Sequence, residues 1–94
     1  MLGIYEIADR ILEGCYRTYG KDWGKDLLRS DFDRLCVVMG IAKDKRIFDK
    51  YWNIFRDVGW ITARSGRVAH FNLEAYQEHK RLFEQVNNNG RGKK

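Results

Sequence analysis

The stretch from Val58 to Leu73 constrains this chain more than any other, because it forces a helix to end and a hairpin to begin at once. A helical apolar pattern runs into Val58 and stops at Gly59, whose missing Cβ permits the left-handed conformation that closes helices. Trp60-Ile61-Thr62 then has the β-branched and aromatic content of a strand, and Val68-Ala69-His70-Phe71 is a matching partner. Between them lies a short glycine-containing connection with an arginine at each end, Arg64-Ser65-Gly66-Arg67. The expected unit is a helix followed by a small hairpin with a basic tip.

Upstream, Ile4, Ile7, Ala8, Ile11, Leu12, Cys15, Tyr16 and Tyr19 recur at helical spacing and predict an amphipathic helix over about residues 3–19, ended by Gly20. Residues 20–26 read as a polar loop whose one large apolar residue, Trp23, packs over the edge of the core. Leu27-Leu28-Arg29 suits a short extended segment. Ser30 followed three positions later by Asp33 is a helix-start signal. A short second helix then turns Phe32, Leu35, Cys36 and Met39 inward and closes at Gly40. The third helix is expected to start at Asp44, a good N-cap, and to run to Val58. Its apolar side holds Ile47, Phe48, Tyr51, Trp52, Ile54, Phe55 and Val58, and its polar side Lys45, Arg46, Asp49, Lys50, Asn53, Arg56 and Asp57. After the hairpin, Asn72 is placed to cap a fourth helix over residues 73–86, with Ala75, Tyr76, His79, Leu82, Phe83 and Val86 along one stripe. Residues 87–94 carry no apolar side chain, so a disordered basic tail is expected there.

Helix, helix, helix and basic hairpin in this order resemble the winged helix-turn-helix DNA-binding superfamily. Phe32, Leu35, Cys36, Met39, Gly40 and Ile41 stand at spacings like that family's first helix and turn, where a small residue and a glycine let two helices cross closely. One departure is that Ile47, the first core residue of the next helix, comes one position later than the usual motif. The resemblance covers about residues 3–73. It implies a mainly α domain with a small β-hairpin, whose third helix reads the major groove of double-stranded DNA and whose hairpin serves as the wing.

Composition agrees with such a partner. In 94 residues, 18 are lysine or arginine against 13 acidic ones, a net charge of +5. Those positives fall where the resemblance wants them. Lys45, Arg46, Lys50 and Asn53 carry groups that bond base edges, arginine and lysine to guanine and asparagine to adenine. Lys43 at the helix entrance and Arg64 and Arg67 on the wing would meet phosphate or the minor groove. Asp49 and Asp57 oppose this, because carboxylates repel phosphate. The expected function is that of a small transcriptional regulator without a cofactor. The alternative is a winged-helix module used for protein–protein assembly without DNA, since fold alone does not decide function.

A reader of this size covers one half-site, which leads to a homodimer through Tyr76, Leu82, Phe83 and Val86 of the fourth helix. The same stripe could instead fold back on the first helix and complete the core. The remaining residues point away from catalysis and metal. No glycine-rich phosphate loop, G-x-S-x-G or H-E-x-x-H occurs. Cys15, Cys36, His70 and His79 lack the close pairing of structural zinc ligands. The two cysteines lie on apolar stripes and are expected to be free, buried thiols, with a Cys15–Cys36 disulfide as the alternative. His79 is expected at a helix interface. With no apolar run of about 18 residues and no signal-peptide pattern at Met1-Leu2-Gly3-Ile4-Tyr5-Glu6, an intracellular location, cytoplasmic or nucleoid-associated, is expected.

Overall fold

Seven elements follow one another in the computed structural model, which describes residues 2–92, with side chains as far as Val86. They are α1 (Ile4–Tyr19), β1 (Asp26–Leu28), α2 (Arg29–Val38), α3 (Lys45–Asp57), β2 (Ile61–Ala63), β3 (Val68–Phe71) and α4 (Leu73–Gly92). The chain is mainly helical, with a small antiparallel sheet of order β1-β3-β2. The expected hairpin is present, with Ile61 opposite Phe71 and Ala63 opposite Ala69. The sheet has a third strand. β1 pairs with β3 so that Leu27 faces Ala69, which gives the two-stranded hairpin the extra partner such ribbons need for stability.

Each helix buries one stripe. Ile7, Ala8, Ile11 and Cys15 of α1 meet Phe32, Leu35 and Cys36 of α2, Phe48 and Phe55 of α3, and Leu27, Ile61, Ala69 and Phe71 of the sheet. Aromatic rings fill the middle. Trp60 lies 5.4 Å from Phe55 and 4.7 Å from Tyr76, the second pair edge-to-face. Trp23 is buried rather than merely covering an edge: it stacks on Tyr19 and donates its indole N–H to the Asp26 carbonyl at 2.7 Å. At Gly14 the helices approach closely, for a Cβ there would stand 2.6 Å from Leu35 Cδ2. Both cysteines are free and buried.

Turns behave largely as their residues demand. Gly40 and Gly59 take φ of 72° and 85°, left-handed values that a side chain disfavours. Beyond Gly40 the amides of Ile41 and Ala42 both bond the Cys36 carbonyl, at 2.8 and 3.0 Å, and so cap α2.

Four expectations need correction. The second helix starts at Arg29, with Leu28 at its cap position and no side-chain cap, so Ser30 is already helical. Its acidic residues have other partners: Asp33 accepts from Arg29 at 2.9 Å and Asp31 from the Tyr19 hydroxyl. Asn72 does stand at the cap position of α4, its carbonyl accepting from the Tyr76 amide at 3.0 Å, but its side-chain amide donates to the Gly59 carbonyl (3.0 Å) and the Thr62 hydroxyl (2.8 Å), tying the hairpin's two ends together. Helix α4 continues to Gly92, so the segment after Val86 that was expected to be disordered has helical backbone as far as that residue. Extending a formed helix costs far less than starting one. Lys93 and Lys94 lie outside the described residues.

The fourth correction concerns Tyr76, expected on an exposed pairing stripe. It is 2% exposed, and its hydroxyl donates to Asp9 (2.6 Å), with the Tyr5 carbonyl at 2.9 Å sharing the same proton. Only Asn72 separates β3 from α4, so the first turns of that helix are forced back over the sheet and α1. Phe83 reaches Tyr5 at 4.6 Å between ring centroids, yet Leu82, Phe83 and Val86 remain 45%, 47% and 68% exposed.

Candidate nucleic-acid interface

Helix α3 is oriented by its apolar side. Phe55 packs edge-to-face on Phe32 at 5.8 Å and Trp52 meets the same ring at 5.1 Å, which turns the opposite side of the helix outward. Lys45, Arg46, Lys50, Asn53, Arg56 and Asp57 are exposed there, and Lys43 is exposed in the preceding turn. Asp44 caps the helix by accepting from the Arg46 amide at 2.8 Å. The Arg46 guanidinium also reaches the Asp44 carboxylate at 3.0 Å while staying 90% exposed. Hydrogen bonds from the Arg46 side chain and backbone hold the Asp44 carboxyl below the usual carboxylate range. A surface pair of this kind is weak, so Arg46 is free to exchange Asp44 for another anion.

Asp49 is the acidic residue that threatened to spoil this face, and the fold answers it. Its carboxylate takes a hydrogen bond and an ion pair from the Arg29 guanidinium. Arg29 also holds Asp33 at 2.9 Å and lies over the Trp52 ring, 5.3 Å from its centroid. The backbone amide of Arg29 meanwhile donates to the Arg67 carbonyl at 2.8 Å, continuing the β1–β3 pairing to the tip of the hairpin. One residue thus touches both α3 and the hairpin, and the two lie about one arginine side chain apart. Asp57 keeps only a loose pair with Arg56, at 3.9 Å.

On the hairpin, Arg64 and Arg67 are both exposed. Arg64 leans on Asp26 of β1 at 3.2 Å, and His70 of β3 meets the same carboxylate at 3.1 Å. The His70 hydrogen bond, opposed by a smaller effect of desolvation and helped by the Arg64 charge, keeps the Asp26 carboxyl low. Arg67 extends without such an acidic neighbour within ion-pair reach among the described residues.

The remaining candidates separate from this face. His79 accepts the Trp60 indole N–H on Nδ1 at 3.0 Å, an interface role within the aromatic cluster. Among the described residues no group of three or more His, Cys, Asp or Glu is placed to hold a metal ion, and no helix is long and apolar enough to cross a membrane. Sequence reasoning missed Arg29 and gave Arg56 no role. For Arg29 the available signal was its place four residues before Asp33, the i,i+4 spacing of a helical ion pair. Its partner Asp49 lies 20 residues away, and no local pattern reveals that contact. No protein-family model, no curated protein and no solved structure matches this chain.

Proposed function

We propose that this chain is a winged helix-turn-helix protein that binds double-stranded DNA and acts as a small transcriptional regulator. Helix α3 enters the major groove, and the hairpin of residues 60–71 is the wing on the adjacent backbone. The observation that supports this reading is the double attachment of Arg29, whose amide bonds the Arg67 carbonyl of the hairpin and whose guanidinium bonds Asp49 of α3. The order of elements and the β1-β3-β2 sheet support it, as does the cationic content of that face. A B-DNA major groove about 12 Å wide admits one helix, which leaves flanking cations to meet phosphate. Lys45, Arg46, Lys50 and Asn53 read bases or adjoining phosphates; Lys43, Arg64 and Arg67 hold the backbone.

Fluorescence anisotropy with a selected duplex and a scrambled one separates these roles. Arg46→Ala or Asn53→Ala is expected to narrow the gap between the two duplexes by about 1–3 kcal/mol, whereas Arg67→Ala weakens both alike. Unchanged discrimination in both helix variants would remove α3 as the reader.

A homodimer fits the same reading, formed through the part of α4 that the domain leaves uncovered. Those exposed residues, Leu82, Phe83 and Val86, also favour a second reading, a protein-assembly module without DNA. An apolar cavity of about 340 Å³ between α1 and α3, lined by Leu2, Ile4, Tyr5, Tyr51, Ile54 and Val58, adds to that surface. Absence of duplex binding with a retained protein-sized apolar interface would select it.

A further inference from the structure

We propose that Arg29 is a positioning residue for the α3 and hairpin face: it fixes the hairpin against the helix and holds the Asp49 carboxylate out of the way of a polyanion. The part concerning a polyanion rests on the DNA reading above, while the part concerning geometry does not.

Three contacts of one side chain and one amide make the case. The guanidinium pairs with both Asp49 of α3 and Asp33 of α2 and lies over the Trp52 ring, 5.3 Å from its centroid. A planar fork with several donors does this, and a lysine ammonium cannot match it in geometry. The amide bonds the Arg67 carbonyl, so displacement of the side chain pulls on the strand that carries the wing. Arg29 is itself only partly exposed, so its charge is spent within the protein. Losing the guanidinium would leave Asp49, one helical turn from both Lys45 and Asn53, as a bare carboxylate on the proposed contact surface.

Two measurements on the full chain decide the proposal. In the free protein, amide chemical shifts of residues 64–67 are recorded for Asp49→Asn, with Asp57→Asn as a control on the same helix face. Severing the Arg29 anchor is expected to move the hairpin amides in Asp49→Asn and to leave them in place in Asp57→Asn. Equal, negligible movement in both would overturn the positioning claim whatever the protein binds. The second measurement is anisotropy with a random-sequence duplex. Arg29→Met is expected to weaken binding about tenfold, the order of one uncompensated charge a few ångströms from phosphate. Arg29→Met/Asp49→Asn should recover most of that loss. Arg29→Met/Glu13→Gln, equal in net charge but altered on α1, should not. Equal recovery by both double variants would show that net charge alone matters and would overturn the screening claim. Arg29→Lys, which keeps the charge and is the milder change for folding, is expected to retain binding while shifting the hairpin amides. If the wild-type chain shows no salt-sensitive duplex binding, the DNA reading fails and the amide shifts still judge the geometry.

Discussion

Phe55 is fully buried where α2, α3 and the start of the hairpin converge, in contact with Phe32 and Trp60. Phe55→Ala is expected to cost about 3–5 kcal/mol, through lost transfer energy and a cavity its aromatic neighbours cannot close. Chemical denaturation measures it, and a loss below about 1 kcal/mol would mean that α3 turns a different side inward. The cysteines give a second test at this scale. Burial first, and the Asp31 carboxylate second, push the Cys15 thiol up to about 12; burial and then Asp33 do the same for Cys36. The reactive species is the thiolate, so at pH 8 both thiols stay protonated in the folded chain as well as inaccessible. A thiol reagent such as dithionitrobenzoate should label neither in the native protein and both in guanidinium chloride. Rapid native labelling, or no free thiol on unfolding, would contradict this. Single residues were legible where burial alone decides, as at Phe55 and Cys36. They were illegible where a distant partner decides: Arg29 and Tyr76 are both fixed by contacts far away in sequence.

Helices were readable because their signal is local. The stripes of α1 and α3 repeat every 3.6 residues, and Asp44 and Gly59 punctuate α3 as their chemistry requires. Caps misled where tertiary bonds outbid them, as when Asn72 joined Gly59 to Thr62. Strand β1 was legible only as an extended segment, since three residues carry almost no pattern and its pairing with β3 is nonlocal. The same mixture governs α4. Its first turns are core, through Tyr76 and through the Lys80–Asp9 ion pair at 2.7 Å, while Leu82 and Val86 stay outside. An exposed apolar helix face of that kind is expected to pair with a second copy. Sedimentation at tens of micromolar should give twice the 11.2 kDa chain mass, and Leu82→Glu with Val86→Glu should return the folded monomer. A wild-type mass of one chain would exclude the dimer. Neither residue supports the core, so a folding defect in that variant is not expected.

For the whole molecule the decisive quantity is where charge lies, not how much there is. A net charge of +5 suits many soluble proteins. Here Arg29 links α3 to the tip of the hairpin, and the fold pairs Asp49 and Asp26 with arginines that it supplies itself. The cations were legible as the polar side of a helical wheel and the tip of a hairpin. The link between the two elements was not, because it depends on β1 and Arg29. The most direct test of a DNA-binding face is the salt dependence of affinity for a random duplex, read by anisotropy between 50 and 200 mM potassium chloride. With roughly five phosphates neutralised, log K should fall against log salt with a slope of about −4 to −5, a loss of several hundredfold over that range. A flat line, or no binding at the lowest salt, would contradict the account.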